Sequence, residues 1–388
     1  MPIRILHIAL TLISMLMMLS CKENKNEPAG DDRASRTVLV YMAASNTLGS
    51  GSVKYDYRDL DEMIAAAENN KLKDANILAY HAPYNETPSL KLITKHGVEI
   101  LKEYDPAPYS VSIARMKEVF NDMREYAPAR KYGLVLWSHA SGWMFSNGTS
   151  PETSRSWGVD RGKEMSIPNL AKALTGEGFD YIYFDCCLMG NIETLYELRG
   201  CADYIVASPT ETPLDGMPYD QNIPLLANED ADLAGAAANT YRFYESHPVS
   251  DNQSIAISVY DMSRIDHLAS VLRTVYTANM QMPAGFSPQT YYQSFYTTVF
   301  NRKFYDLSHY ASSLINATEN PGLKEELNRA MEEFVIYKAH TQYMWGSLPL
   351  TDCNGVSTFI YSSGNTDADR YNYRDLKWYN DVVLPANN

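Results

Sequence analysis

Two apolar runs in this sequence end on side chains capable of covalent chemistry. The run GLVLW, residues 133–137, delivers Ser138 and His139; the run YIYF, residues 181–184, delivers Asp185, Cys186 and Cys187. A thiol beside an imidazole meets the basic requirement for covalent acyl transfer, because the thiolate is the attacking form and the imidazole can take its proton. Each residue alone has an ordinary reading, the histidine as a hydrogen-bonded structural group and the cysteine as a small core filler. Arriving at two strand ends, they form the strongest candidate pair in the chain. The pattern also predicts a helix from near Met189, which would put Cys187 at a helix N-terminus and lower its thiol pKa. A disulfide between Cys186 and Cys187 would strain the peptide joining them. The eight histidines are scattered, with no spacing of the kind that binds zinc.

The elements that must carry these residues alternate. Strand-like runs at 37–44, 76–82, 131–137, 179–185 and 202–208 are interleaved with helical spacing at 57–69, 112–127, 167–176 and 190–200. Leu60, Met63, Ile64 and Ala67 mark one helix face, and Ile192, Leu195 and Leu198 another. The stretch 91–104 reads as a hairpin or a polar edge strand, and SNTLGSGS after the first strand as a polar turn. Such alternation implies a mostly parallel sheet covered on both faces, with its site outside the carboxyl ends of the strands. Beyond about residue 210 the pattern thins. It predicts helices over 233–246, 265–280 and 323–339, and strands over 254–261 and 355–363.

Composition narrows the function classes. The 388 residues carry a net charge of −14 with no basic stripe, which argues against a nucleic-acid partner. Twenty-nine tyrosines against eleven phenylalanines suggest a wet aromatic surface for extended polar substrates. At the start, an apolar run from Ile5 to Leu19 follows one arginine and ends in Ser20-Cys21, a secretory signal too short to span a membrane. A small residue before a cysteine resembles a bacterial lipobox, so residues 1–20 are expected to be removed and Cys21 to be lipidated. Residues 21–36 are then a polar tether, and the mature protein is an exported bacterial lipoprotein anchored at the cell surface or in the periplasm. The remaining four cysteines make no disulfide framework.

The blocks LVLWSHASGW and FDCCLMGNIETLYEL resemble the clostripain family of cysteine peptidases, relatives of caspases and gingipains. Caspases carry their histidine about 50 residues before the cysteine, the same order and spacing as here. Further blocks agree: TVLVYMAASNTL, DLDEM, ADYIVAS, DGMPYD, FYDLSHYA and GVSTFIY, so the likeness runs from Thr37 to Leu384. The resemblance implies a caspase-like three-layer α/β/α sandwich with a mostly parallel central sheet and a C-terminal α+β extension. Residues 37–230 would be the catalytic core and 231–388 would complete the peptidase domain.

Carried over residue by residue, Cys187 matches the nucleophile and His139 the general base, with the backbone N–H groups of Ala140 and Cys187 as the oxyanion hole. Cys186 stands where the family usually has alanine. Asp185 and Asp215 match acids of a pocket for arginine or lysine at P1, the substrate residue before the cut, and a carboxylate suits a guanidinium. Their plainer readings are a helix cap for Asp185 and a turn residue for Asp215. The family often matures by self-cleavage between its two blocks, which here points to Arg155, Arg161 or Lys163. Calcium dependence occurs in the family, although no DxDxDG-type loop is present, and the chemistry itself requires no cofactor.

Ala140 replaces the family's glycine, and would strain the oxyanion hole if that position needs positive φ. The segment SPTET, 208–212, and Met217 also depart from the family pattern, which bears on subsites more than on chemistry. The rival reading is a catalytically inactive surface lipoprotein on the same fold that binds peptides or glycans. A thiol hydrolase acting on small non-peptide amides is a further alternative.

Overall fold

The computed structural model describes residues 33–68, 72, 74–144, 157–278, 304–318, 320–361 and 372–386. The expected signal peptide, Cys21 and the tether through residue 32 lie outside them, while residues 34–36 of the expected tether open the first strand.

The first half alternates as the pattern predicts: β1 (Ala34–Ala43), α1 (Thr47–Ser50), α2 (Tyr55–Glu68), β2 (Ala75–Ala82), β3 (Ser89–Thr94), β4 (Gly97–Glu103), α3 (Ile113–Tyr126) and β5 (Ala129–Trp137). A hairpin of β6 (Trp157–Asp160) and β7 (Lys163–Met165) then leads to α4 (Ile167–Leu174), β8 (Phe179–Asp185), α5 (Ile192–Glu197) and β9 (Ala202–Ala207). The second half holds α6 (Tyr219–Leu226), α7 (Leu233–Glu245), β10 (Ala256–Asp261), α8 (Ile265–Ala278), β11 (Phe304–Asp306), α9 (Leu307–Asn316) and α10 (Pro321–Phe334). It continues with β12 (Val335–His340), β13 (Tyr343–Met344), β14 (Leu348–Pro349) and β15 (Ser357–Phe359), and a helical segment over Tyr379–Val383 and Leu384–Ala386 follows. Helix starts follow local chemistry: Ser112, Ser166, Asp232 and Asn320 each cap a first turn through their side chains.

Among the described residues the main sheet has nine strands, in the order β12-β10-β9-β8-β5-β1-β2-β3-β4. Its centre is parallel, from β2 through β1, β5 and β8 to β9. Antiparallel strands extend it at both edges. Since β10 and β12 follow residue 230, the C-terminal part adds two strands to the same sheet. Side chains alternate across β1: Leu39 and Tyr41 enter one core with Phe120 of α3 and Leu268 of α8, while Val38 and Val40 enter the other with Leu60 of α2 and Ile223 of α6. Three layers result, the α/β/α sandwich expected.

Two expectations are corrected. The run 323–339 is not one helix: α10 stops at Phe334, and Val335–His340 leaves as the edge strand β12. There Ile336 and Lys338 face solvent, while the backbone pairs with β10. An open ladder beside β10 and the β-branched pair Val335-Ile336 outweigh helical spacing at this end. Among the described residues the late strand spans only Ser357–Phe359, paired with β11 in a small separate sheet. Many tyrosines are also structural. Tyr41, Tyr181, Tyr244 and Tyr260 are buried and donate to backbone oxygens of Ser110, Leu226, Gly216 and Gly355, a phenylalanine-like role with the hydroxyl satisfied.

Candidate active site

β5 and β8 are neighbours, paired in parallel with Trp137 opposite Asp185. Two residues further along each strand come His139 and Cys187, so the register brings both to the same edge of the sheet.

The histidine arm is held from three sides. Ser138 donates from Oγ to the carbonyl of Ala43 at 2.8 Å and accepts from the Val159 N–H at 3.0 Å. Asn46 Nδ2 reaches the carbonyls of Ala43 and Val159, both at 2.8 Å. The Gly158 N–H donates to the His139 carbonyl at 2.9 Å. The half-buried imidazole has its Nε2 at 2.7 Å from Thr47 Oγ1. Burial lowers its pKa below the ordinary value, which keeps it neutral, the form a general base needs.

The cysteine arm differs from expectation in one respect. α5 begins at Ile192, not near Met189, with Asn191 as its cap. Between thiol and helix the chain turns through Leu188, in the left-handed region at φ 62°, so no helix N-terminus abuts Cys187. Its thiol is pushed up to about 12, first by burial and then by the nearby Glu211 carboxylate. Glu211 is itself raised to about 7 by burial and accepts from Trp345 Nε1 at 2.9 Å. The Thr212 N–H donates to Cys187 Sγ at 3.3 Å, and the Leu188 N–H to the Thr210 carbonyl at 2.8 Å. The SPTET segment thus lies directly on the nucleophile loop. Cys186 is buried in the core at 5% exposure, while Cys187 is half-buried against the same core.

The two loops meet at a residue that sequence reasoning passed over. Gly142 has φ +64°, and a Cβ there would stand 2.4 Å from Asn191 Nδ2 and 2.9 Å from the Leu188 carbonyl. Asn191 Nδ2 in turn donates to that carbonyl at 2.5 Å. Ala140 is not among the described residues with positive φ, so alanine sits without strain where a glycine was expected.

Asp185 and Asp215 lie in a shared acidic corner with Asp59 and Glu62. Asp185 is buried and accepts from the Tyr219 hydroxyl at 2.9 Å and the Met217 N–H at 3.1 Å. Burial raises it to about 6 against those two bonds. Asp59 takes the Trp137 indole N–H at 2.7 Å and is held high by burial and by Asp185. Asp215 already has a cation: Arg58 Nη1 is 2.5 Å from its Oδ1, and Nη2 donates to its carbonyl at 2.7 Å. His247 Nε2 is 3.2 Å from the other carboxylate oxygen. The run YRDLDEM carried Arg58 in plain sight, but helical spacing says nothing of which distant acid it meets.

Arg161 occupies the β6–β7 turn at φ 50°, its N–H bound to the Ser45 carbonyl and its guanidinium bound to Asp160 and stacked on Tyr109. Lys163 opens β7, exposed. Arg155 lies outside the described residues. Among the described residues there is no cluster of side chains suited to a metal ion.

Comparison with known proteins gives a consistent picture. The clostripain family model matches residues 40–385. The solved structure of an inactive zymogen C11 protease from Parabacteroides distasonis is 29% identical, with a TM-score of 0.75 over 90% of this chain and 98% of that one. A secreted C11 cysteine protease from Bacteroides thetaiotaomicron, in complex with an irreversible peptide inhibitor, is also 29% identical, with a TM-score of 0.75 over 91% and 100%. A further structure of a secreted C11 cysteine protease from that organism, iotapain, is 24% identical with a TM-score of 0.76 over 90% and 99%, and speaks for the fold alone. No curated protein matches significantly. With the model spanning nearly the whole chain and the fold shared end to end with these proteases, the chain belongs to the clostripain family of cysteine peptidases.

Proposed function

We propose that this peptidase is an endopeptidase that cleaves after arginine or lysine through a Cys187/His139 dyad. The observation that carries this reading is the β5–β8 register, which sets His139 and Cys187 at equivalent positions beyond paired strand ends. In acylation, His139 takes the thiol proton as Sγ attacks the scissile carbonyl, and the oxyanion meets the N–H groups of Ala140 and Cys187. His139 then protonates the leaving amine as the C–N bond breaks, leaving a thioester. In deacylation it takes a proton from water, whose oxygen attacks the thioester, and returns that proton to the departing thiolate. A thiol this high in pKa stays protonated at rest, so proton transfer accompanies attack.

The preference for a basic residue is supported by the acidic corner of Asp185, Asp59, Glu62 and Asp215 at the end of β8, in which Arg58 and His247 pair with Asp215 and leave Asp185, among the described residues, without a cation of its own. A fluorogenic panel with arginine, lysine and neutral residues at P1 tests it: turnover should be confined to the basic substrates. Because Asp185 titrates near 6, it is protonated below that pH and charged above it. The advantage of a basic over a neutral P1 should therefore grow as pH rises through 6. Equal turnover of neutral and basic substrates at pH 8 would refute the specificity.

The same reading extends to maturation and location. One structural relative is described as an inactive zymogen and another as secreted. Here the interval between the two loops offers Arg155, Arg161 and Lys163 for self-cleavage, with Cys21 as a lipid anchor. Mass spectrometry of membrane-extracted protein should find Cys21 at the first amino terminus, carrying diacylglycerol. It should find a second amino terminus, after one of the three basic residues, in wild type but not in Cys187→Ala. A single unmodified chain in both would dismiss the two ideas together.

A further inference from the structure

We propose that Thr47 is the positioning residue for His139, an uncharged hydroxyl that fixes the orientation of its ring. The inference rests on the dyad reading and adds a third group to it.

In the sequence, Thr47 sits in a polar turn with nothing to mark it. The fold gives it a neighbour: β1 pairs with β5, so the loop leaving β1 lies beside the loop leaving β5. Asn46, buried at the end of that loop, donates to the carbonyls of Ala43 and Val159 and to Ser138 Oγ. Its Oδ1 caps α1 by accepting the Leu48 N–H at 2.9 Å. The residue that anchors Thr47 thus also anchors the residue preceding His139 and the strand whose Gly158 N–H holds the His139 carbonyl. Hydroxyl and imidazole are positioned by one network, and they meet at 2.7 Å.

The chemistry follows from which nitrogen is engaged. With Thr47 Oγ1 at Nε2, the ring's other nitrogen, Nδ1, is left for the thiol and the substrate. If the hydroxyl accepts from Nε2–H, the Nδ1 lone pair is free to take the thiol proton. The imidazolium that results still has an acceptor for Nε2–H, so the bond persists through the catalytic cycle. A carboxylate in this place would also orient the ring, but it would favour the charged imidazole before substrate arrives. A hydroxyl orients without adding charge.

The test compares wild type with Thr47→Val, Thr47→Ser, His139→Ala and Cys187→Ala, each checked by thermal melting, on a substrate that wild type turns over. Thr47→Val should lower kcat by roughly ten- to a hundredfold while KM changes by less than about twofold, and Thr47→Ser should recover most of kcat. Should valine disturb the turn, Thr47→Ala set against Thr47→Ser makes the same comparison. Wild-type kcat in Thr47→Val, alongside an inactive His139→Ala, would overturn the role of Thr47 and leave the dyad standing. Equal impairment of the serine and valine variants would also overturn it, by pointing to packing instead of the hydrogen bond. Turnover retained in His139→Ala would refute the dyad itself, and this inference with it.

Discussion

Replacing Cys187 with alanine is expected to abolish turnover, while the same change one residue earlier leaves most of it. Removing the nucleophile of a hydrolytic dyad or triad costs on the order of a millionfold in kcat, so Cys187→Ala should fall to background on any peptide the wild type cleaves. Cys186 offers a matched control, because its thiol is buried in the core and raised well above its ordinary value by desolvation. Cys187, by contrast, is only half-buried. Truncating Cys186 removes one buried sulfur, a loss of about 1 kcal/mol with no direct effect on the chemistry. Initial rates on a fluorogenic peptide, with a thiol-directed label mapped by mass spectrometry, decide the matter: the label should fall on Cys187. The reverse pattern would mean that the strand-end register is misassigned by one.

The second large effect is expected at Gly142. Alanine there must hold a left-handed backbone, at about 1–2 kcal/mol. It must also push its methyl into Asn191 and the Leu188 carbonyl, where a Cβ has no room at 2.4 and 2.9 Å. That contact lies between the segment carrying His139 and the loop carrying Cys187, so relief has to separate base from nucleophile. A displacement of about 1 Å can cost a hundredfold in rate, and Gly142→Ala should lose at least that much kcat in addition to a lowered Tm. Gly176→Ala separates the two causes, since Gly176 has φ +80° with nothing within 4 Å of an added Cβ. It should show the backbone cost alone and keep wild-type kcat. If the two variants match in both stability and rate, the close approach of the loops has no functional weight.

How far the sequence reaches depends on how local the physics is. The strands ending at Trp137 and Asp185 were legible because buried parallel strands read as apolar runs, and the reactive residues follow those runs directly. α10 and β12 were not separable, because one apolar spacing continues through Phe334 and only the open edge of β10 decides where the helix stops. The expected lowering of the Cys187 pKa failed for a related reason. Four residues, Leu188 to Asn191, intervene before α5, and the largest charge effect on the thiol comes from Glu211, 24 positions away in sequence. Arg58 against Asp215, and Thr47 against His139, are likewise pairings between distant segments that no periodicity encodes. The glycine in HASGW was noticed at the wrong place: the position after the histidine tolerates alanine, and the one needing glycine is Gly142.

The order of the sheet also determines what a break in the backbone between Met144 and Trp157 would do. Everything before it supplies β1 to β5, and everything after it supplies β8, β9, β10 and β12. The seam between those halves is the five-residue ladder of β5 on β8, covered on both faces by core. His139 lies on one piece and Cys187 on the other, with Asn46 and Ser138 of the first bonded to Val159 of the second. A nicked molecule would remain one folded body held without a covalent link, its base and its nucleophile contributed by different polypeptides.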